Sequence, residues 1–331
     1  MSTGASGSCA PPPPPLTIYA SEAAALCNQH PYTPRQEACE RLWERNRPTS
    51  YRAALLRFEK KHGRRVDDAR RDARELLRQC GATQPALDLG RDAATAAPET
   101  PEQVRDTLLR ASVAIDALPS MDERQRAMLR TVAREQIQTS YGRVGETAAL
   151  QQVRLEGTLG TMQRSSDGCT VPVGVRDNNA HLYRRSLGEL WIDACATTGS
   201  DLADAVARCV VAGRVDGFNE STQEVVEIKN RTRRFFDPLP SYELVQFRLY
   251  LALVGQQRGQ LIERLGAAGM RTHELGQDAD FLRDVVLVPL AQLLWWMLRP
   301  ANGLLSDTSL QDAFLESADR GAFVSQNLLC A

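Results

Sequence analysis

The sequence has no C-x-x-C pair among its eight cysteines, and its four histidines form no cluster with the spacing of metal ligands. Structural zinc sites and iron–sulfur centres draw their ligands from such pairs and clusters, so neither is expected. The first residues, MSTGASGSCAPPPPP, also lack the basic and apolar segments of a secretory signal. We expect an intracellular protein, cytoplasmic or nuclear and not secreted, whose thiols stay reduced.

A strong charge imbalance and a long apolar run are missing too. The 40 Lys and Arg residues against 41 Asp and Glu residues leave a net charge of −1, which excludes a wholly basic coat but not a local basic groove. The most apolar stretch, Val285–Leu298, is shorter than the about 20 residues that a membrane-spanning helix needs. It predicts a buried helix kinked at Pro289, and no membrane partner is expected.

With 331 residues, of which 43% are hydrophobic, the chain is long enough to bury a sizeable core. Changes in pattern predict four parts along the chain. They are a disordered Pro-rich tail at 1–17, a mostly helical N-terminal region at 18–135 with a mobile linker near 81–102, a core at 136–298 and a C-terminal extension at 299–331.

Helix signals are clear at two places. Ser21 is predicted to cap a first short helix, and Ser120 with Glu123 three residues later is a capping box that starts a long helix. That helix contains Gly142 and Gly145, each of which costs about 1 kcal/mol relative to alanine in a helix interior. Two explanations stay open: a break between two helices, or a close approach of another group to the backbone.

Strand-like patterns dominate the second half of the chain until a helical period returns after Pro240. Predicted strands are Thr170–Val175, Leu187–Cys195, Cys209–Phe218, Val225–Lys229 and Leu261–Leu265. The predicted fold class is therefore mixed α/β (α+β), with a central mixed sheet flanked by helices and an α-helical N-terminal region.

The stretch richest in chemistry is residues 209–231, CVVAGRVDGFNESTQEVVEIKNR. Because side chains alternate between the faces of a strand, Glu227 and Lys229 share one face and Ile228 points to the other, toward the core. If the polar segment NESTQE forms a centred hairpin turn, Asp216 faces Glu227 across the hairpin. Such cross-strand pairs have Cβ atoms about 4.5–5.5 Å apart.

Two carboxylates at that distance repel each other unless one is protonated or a cation lies between them. Carboxylate oxygens suit Mg²⁺ or Mn²⁺, and Lys229 beside such an ion would position or deprotonate a water, or neutralise a developing phosphate charge. The bare pattern of Asp followed by E-x-K also occurs on solvated faces of charged proteins. A metal site and an ordinary charged surface are thus both open at this point.

The arrangement of Asp216, ten intervening residues and Glu227-Ile228-Lys229 resembles the PD-(D/E)XK nuclease superfamily, with Val215 in place of the proline. The segment from Gln246 to Tyr250 resembles the Q-x-x-x-Y helix of the RecB-like, phage lambda/YqaJ-type viral recombination exonucleases. Both of its polar side chains fall on one helix face.

Two further segments resemble the same subgroup. Gly142-Arg-Val-Gly-Glu146 resembles the helix before the sheet, in which a Gly and a Glu four residues later are usual and the Glu reaches the metal. The segment 18–32, which includes Ser21, resembles the T-A-S opening, whose Ser lies near the active site and the scissile strand.

The resemblance covers roughly residues 18–45 and 136–298, and the insert 46–130 has no counterpart. It implies a restriction-endonuclease-like core and Mg²⁺- or Mn²⁺-dependent hydrolysis of DNA phosphodiester bonds, by an exonuclease of viral-type recombination or repair. The implied partners are DNA and either further copies of the chain or a single-strand annealing protein.

The resemblance also implies roles for individual residues. The catalytic set is Asp216, Glu227, Lys229, Glu146, Gln246 and Tyr250, the metal ligands are Glu146, Asp216, Glu227 and the Ile228 carbonyl, and the DNA-binding residues are Ser21, Gly142, Arg231, Arg233 and Arg234. For the three arginines, a phosphate-gripping loop and a solvated basic loop are equal alternatives.

Two rival functions stay open. An endonuclease or an RNA-degrading nuclease would use the same fold, because a fold does not fix its substrate. A nuclease-fold protein that binds DNA or a partner without cutting is the other, although it would have no reason to keep two acidic residues facing each other.

Overall fold

The structure is a computed structural model of the 331-residue chain. It describes residues 14–63, 65–66, 72–73, 75–76, 100–118, 121–160, 162–164, 170–172, 175–177, 180–195, 201–266, 269–317 and 320–329. The tail at 1–13, most of the predicted linker and Ser120 lie outside this part of the chain.

The helices of the described residues are numbered in chain order. They are α1 (Ala20–Leu26), α2 (Arg35–Asn46), α3 (Pro48–His62), α4 (Pro101–Asp116), α5 (Glu123–Gly160), α6 (Leu187–Cys195), α7 (Asp201–Ala207), α8 (Ser241–Val254), α9 (Ala279–Phe281), α10 (Val288–Leu298), α11 (Thr308–Glu316) and α12 (Arg320–Leu329).

The strands form three sheets. They are β1 (Leu16–Tyr19), β2 (Met162–Arg164), β3 (Thr170–Pro172), β4 (Val175–Asp177), β5 (Tyr183–Ser186), β6 (Cys209–Gly213), β7 (Gly217–Asn219), β8 (Glu224–Asn230), β9 (Arg258–Arg264) and β10 (Met270–Gly276). The strand orders are β1-β6-β5, β10-β9-β8-β7-β4 and β2-β3. The fold is therefore mixed α/β, as predicted.

The chain divides into two compact units, each made of several segments. The first comprises Met1–Arg52, Arg184–Ala212 and Ala279–Ala331, and the second comprises Ala53–Tyr183 and Gly213–Asp278. These limits differ from the predicted limits at 135 and 298.

The five-stranded sheet organises the second unit. Strand β8 is parallel to β9 and antiparallel to β7, and β9 is antiparallel to β10. One face of β8 packs its apolar side chains, Val226 and Ile228, on Ala149 and Leu150 of α5. Helix α8 contacts the same two central strands, β8 and β9. Its core side chains include the fully buried Phe247.

An apolar helical run belongs to the first unit. Ala279–Leu298 is the one run among the described residues that is long and apolar enough to cross a membrane, and half of it is buried. Buried core helices meet the same criteria, so this is weak evidence for a span. Instead of the predicted kink at Pro289, a π-helical segment, Leu282–Leu287, precedes that proline. Proline has no backbone N–H, so a carbonyl oxygen one turn earlier loses its hydrogen-bond donor. A π-helical segment before the proline accommodates this loss.

The prediction of a strand at Leu187–Cys195 is wrong, because these residues form helix α6. Leu187, Leu190 and Trp191 are its buried side chains, and they repeat at the i, i+3, i+4 spacing of a helix face. A short apolar run is ambiguous between the two periods, and here the helical spacing decides.

The predicted strand Cys209–Phe218 is also wrong as one element. Strand β6 ends at Gly213 in the three-stranded sheet, and β7 begins at Gly217 in the five-stranded sheet. Asp216 lies in the bend between them. Arg214, Asp216 and Phe218 therefore do not share one strand face. Strands β1, β2, β5 and β10 were not predicted, and the predicted strand Thr170–Val175 overlaps two strands of different sheets, β3 and β4.

The predicted helix starts need small corrections. Ser21 is exposed in the first turn of α1, whose N-cap is Tyr19. The start of α5 has a capping box of Asp122 and Gln125, whose backbone and side-chain groups exchange hydrogen bonds of 2.9 and 2.8 Å. The tail and linker predictions end too late, because β1 begins at Leu16 and α4 begins at Pro101.

Close packing of α8 on β9 makes Gly259 a sensitive position. A Cβ added there would lie 2.5 Å from the Val225 carbonyl oxygen and 2.9 Å from Phe247 Cζ. We expect Gly259→Ala to lower the free energy of unfolding by about 1–3 kcal/mol in urea titrations. The control is Gly276→Ala on β10, where the added Cβ would meet only the Gln257 carbonyl oxygen at 3.8 Å. Equal stabilities of the two variants would contradict this packing.

Candidate active site

The β7–β8 hairpin has the predicted register. Gly217 pairs with Val226 and Phe218 with Val225, so the position opposite Glu227 falls to Asp216. The turn is stabilised by Asn219, whose Oδ1 accepts hydrogen bonds from the backbone N–H groups of Ser221 at 3.1 Å and Thr222 at 3.2 Å. An Asx turn of this kind fixes the strand pairing from within the local sequence.

Asp216 is buried, with 7% of its surface exposed, and its Oδ2 accepts a 2.7 Å hydrogen bond from the backbone N–H of Ile228. The bend between β6 and β7 thus turns the carboxylate of Asp216 toward β8. Glu227 is also buried, at 3% exposure. The acidic side chain of the bend before β7 and that of Glu227 on β8 therefore meet in a site with little access to water.

Glu227 and Lys229 share one face of β8, as predicted. Lys229 Nζ donates to Glu227 Oε1 at 2.7 Å and to Gln246 Oε1 at 3.1 Å. Gln246 Nε2 donates to the Tyr250 hydroxyl at 2.8 Å and lies 3.3 Å from Glu227 Oε1. The i,i+4 pair of α8 thus turns toward the lysine and the glutamate of β8.

The electrostatics of the acidic pair follow from its burial. Burial raises the pKa of Glu227 to about 8, and the negative charge of Asp216 adds to the rise while Lys229 opposes it. Burial likewise raises the pKa of Asp216 to about 6, against the pull of Lys229 and with a contribution from the charge of Glu146. The pair therefore holds a proton more tightly than free carboxylates do.

Lys229 has the opposite preference. Burial lowers its pKa, but the negative charges of Glu227 and Asp216 outweigh that effect, and the net pKa is raised. The side chain is therefore an ammonium group fixed by two acceptors. Burial, together with the charge of Glu227, also raises the pKa of the Tyr250 hydroxyl, which stays protonated and can donate.

The site offers oxygen atoms to a cation. Glu227 Oε2 is buried and has no hydrogen-bond partner among the described residues. The residues expected to act as ligands are Asp216, Glu227, the Ile228 carbonyl and Glu146, and the charge of Glu146 is felt at Asp216. Within the described residues, no three acidic, histidine or cysteine side chains are grouped closely enough to enclose a metal ion. The fit to a cation therefore rests on the Asp216–Glu227 pair and its orphaned oxygen.

Arg231, predicted to bind DNA, is 8% exposed, and its side chain is engaged with two carboxylates of the protein. Its Nη1 and Nη2 donate to the two carboxylate oxygens of Glu243 at 2.6 and 2.7 Å, and its Nε donates to Glu263 Oε1 at 2.5 Å. A buried arginine with two carboxylate partners is part of the core of the site.

The cluster around Glu263 was missed from the sequence. Glu263 is fully buried and accepts hydrogen bonds from the Phe236 N–H, while His273 Nε2 lies 2.8 Å from its second oxygen. Burial favours a raised pKa for Glu263, but His273, Phe236 and Arg231 outweigh it and lower the net pKa. The sequence held one signal for this cluster: Glu243 lies three residues before Gln246 and therefore on the same face of the helix.

The remaining predicted site residues have different surroundings. Gly142 lies in the uninterrupted helix α5, and a Cβ added to it would meet nothing within 4 Å, so neither a helix break nor a close approach is seen there. Its carbonyl oxygen accepts from Asn230 Nδ2 at 3.2 Å. Arg233 and Arg234 are exposed in the loop after β8, and Ser21 belongs to the first unit.

Comparisons with known proteins add little to this description. No protein-family model matches the chain, and no curated protein matches it. A solved structure described as the crystal structure of SSO0001 is 15% identical, with a TM-score of 0.31, and the match covers 60% of this chain and 88% of that one. A likeness at this level carries no argument about fold or function.

The buried Arg231–Glu243 pair predicts a large loss of stability on substitution. Glu243→Gln leaves part of the guanidinium charge uncompensated, so we expect the free energy of unfolding to fall by about 3–5 kcal/mol in urea titrations. The control is Asp237→Asn, which removes an exposed partner of Arg271 at 3.5 Å and should cost less than about 1 kcal/mol. A Glu243→Gln variant as stable as this control would contradict the buried pairing.

The acidic pair predicts a pH dependence of stability. Burial and the charge of Asp216 raise the pKa of Glu227 from 4.5, the ordinary value of a glutamate, to about 8. Metal-free protein should therefore lose stability as the pH rises between these values, because the folded state binds more protons than the unfolded state there. Glu227→Gln should remove this component, and Glu224→Gln on the same strand should keep it.

Thermal melts in EDTA at a series of pH values measure the effect. Addition of Mg²⁺ should raise the melting temperature of the parent more at high pH than at low pH, since the ion competes with the proton. Parallel pH curves for the parent and Glu227→Gln would show that the two carboxyl groups are not coupled.

Proposed function

We propose that the chain is a Mg²⁺- or Mn²⁺-dependent nuclease that hydrolyses phosphodiester bonds in DNA. The observation that carries the proposal is the buried Asp216–Glu227 pair, one oxygen of which has no partner, beside an ammonium group fixed by Glu227 and Gln246. A buried pair of acids costs stability unless a cation or a proton compensates it. A bound divalent cation would supply that compensation.

Asp216, Glu227 and the Ile228 carbonyl would hold the ion, with Glu146 as the further ligand that the resemblance implies. When bound, the ion supplies a Lewis acid that polarises a phosphate oxygen.

The side chains of the site have complementary tasks. Lys229, an ammonium group, donates a hydrogen bond that orients the attacking water or offsets the negative charge that develops on the phosphate. Its raised pKa favours this role over that of a general base. Gln246 and Tyr250 fix the lysine, because Gln246 bonds both to Lys229 Nζ and to the Tyr250 hydroxyl.

The finer fold proposal is a restriction-endonuclease-like core in the second unit. The β7–β8 hairpin, the parallel pair β8–β9 and the helices α5 and α8 that pack on β8 are the elements that support it. The Q-x-x-x-Y geometry of α8 favours an exonuclease of the viral recombination type among nucleases of that fold. Copies of the chain or a single-strand annealing protein are the proposed partners in that role.

A cleavage assay with purified protein tests the proposal. The substrates are end-labelled linear DNA, closed circular DNA and RNA, each with Mg²⁺ or with EDTA. We expect Mg²⁺-dependent release of nucleotides from linear DNA and no attack on the closed circle. Nicking of the circle would favour an endonuclease, degradation of RNA alone an RNA nuclease, and binding without cleavage a DNA-binding protein.

Substitutions test the assignment of residues. Asp216→Asn should lower the cleavage rate at least about a hundredfold, because a metal ligand is lost, while DNA binding persists. Lys229→Arg should also be slow, since a planar guanidinium does not fit a site shaped for an ammonium. Glu37→Gln, on the exposed face of α2, is the control and should cleave at the parent rate. Parent-level activity of Asp216→Asn would overturn the site.

A further inference from the structure

We propose that the loop Arg231–Phe236, together with Arg271 of β10, binds the phosphodiester backbone of a single nucleic-acid strand next to Lys229. The inference rests on the proposed function and specifies where its substrate is held. Arg233 and Arg234 follow Lys229 by four and five residues, and both are exposed. At about 3.3–3.6 Å per residue at full extension, both lie within roughly 20 Å of the lysine.

The loop is anchored on both sides of these arginines. At its start, the Arg231 N–H donates to the Arg264 carbonyl at 2.7 Å, and the Arg231 side chain is locked by Glu243 and Glu263. At its end, the Phe236 N–H donates to Glu263 Oε1 at 3.0 Å. The exposed arginines therefore project from a fixed backbone, which lowers the entropy lost on binding.

A further contact holds the middle of the loop, because Arg105 Nη2 of α4 donates to the Thr232 carbonyl at 3.3 Å. This places a third exposed cationic side chain against the loop. Within the described residues, Arg233 makes no ion pair that would neutralise it.

Two arginines of this surface stack on phenylalanine rings. The Arg271 guanidinium lies 5.5 Å from the centre of the Phe235 ring, and the Arg234 guanidinium lies 5.7 Å from that of Phe236. Cation–π contacts of this kind hold the two exposed guanidinium groups close to the loop. The Phe236 ring also has the Arg231 guanidinium 4.5 Å from its centre, so two arginines already occupy it. The half-buried Phe235 is thus the aromatic side chain of the loop that suits a base of a single strand.

The acidic groups nearby leave the surface basic. Glu243 and Glu263 are buried and both are paired with Arg231, so their carboxylate oxygens are not exposed to a ligand. Asp237 is exposed and lies 3.5 Å from Arg271, a weak pair that a phosphate would displace. Glu102 and Asp106 flank Arg105 along α4. The excess of arginines at the loop itself favours an anionic backbone over an acidic protein, whose carboxylates would be less regularly spaced.

The test is fluorescence anisotropy with labelled single-stranded and duplex oligodeoxynucleotides in EDTA, so that cleavage does not interfere. Arg233→Ala/Arg234→Ala should raise the Kd for the single strand roughly ten- to thirtyfold, and should reduce the slope of log Kd against log salt by about 1.4. Arg271→Ala should act in the same direction. Lysines at 233 and 234 should restore most of the slope, because the charge is kept.

Arg258→Ala is the control, since Arg258 is exposed at the start of β9, the end of that strand remote from Arg264. Its Kd and salt slope should equal those of the parent. Equal losses for Arg258→Ala and Arg233→Ala/Arg234→Ala, or a larger loss for duplex than for single strand, would overturn the inference.

Cleavage assays separate this inference from the proposed function. If the arginine variants bind weakly while the parent fails to cut any nucleic acid, the surface stands and the nuclease proposal fails. If the parent cuts DNA but the arginine variants bind and cut like the parent, the surface is wrong and the nuclease proposal stands. Circular dichroism melts should be unchanged in all variants, because the replaced side chains are exposed.

Discussion

Repulsion between two buried carboxyl groups, Asp216 and Glu227, is the constraint around which the second unit is built. The hairpin register brings them together, and burial removes the water that would screen them. Lys229 compensates one of the two charges, and the backbone N–H of Ile228 stabilises Asp216. The second charge is left for a proton or a cation, which is the physical basis of the proposed metal site.

The charge balance of the whole cluster points the same way. Four carboxyl groups, those of Asp216, Glu227, Glu243 and Glu263, accompany the two cations Lys229 and Arg231. With these four carboxyl groups, Lys229 and Arg231 all ionised, two negative charges are in excess, and the charge of Glu146 near Asp216 adds a third. One divalent ion would compensate two of these charges, and a single shared proton would compensate one. The division between these two states depends on pH through the raised pKa values of the acidic pair.

The parts predicted correctly from the sequence are those fixed by local rules. Alternation along β8 and the centred turn gave the positions of Asp216, Glu227 and Lys229, because both rules act within one hairpin. The same alternation failed for Leu187–Cys195, where a short apolar run fits two periods. The burial of Arg231 was not predicted for another reason: its partners Glu243 and Glu263 lie 12 and 32 residues away, and burial depends on such distant contacts.

Lys229 on β8 and Arg231 directly after it are two residues apart but contact different side chains, and the way in which α8 packs along β8 explains the difference. Arg231 pairs with Glu243, Lys229 bonds to Gln246, and the charge of Glu227 is felt at Tyr250. Two residues along a strand advance about 6.6 Å and one helical turn about 5.4 Å, so the two elements match step for step while running in opposite directions.

The bidentate ion pair at the start of α8 therefore sets the register for the rest of the helix. A shift of α8 by one turn toward its C-terminus would bring Glu243 against Lys229 and would leave Arg231 with Glu263 as its one carboxylate partner. Loss of the bidentate pair with Glu243 disfavours that shift and so favours the register in which Gln246 lies against the lysine. Arg231, which does not contact the Asp216–Glu227 pair, thus determines the position of Lys229, which does.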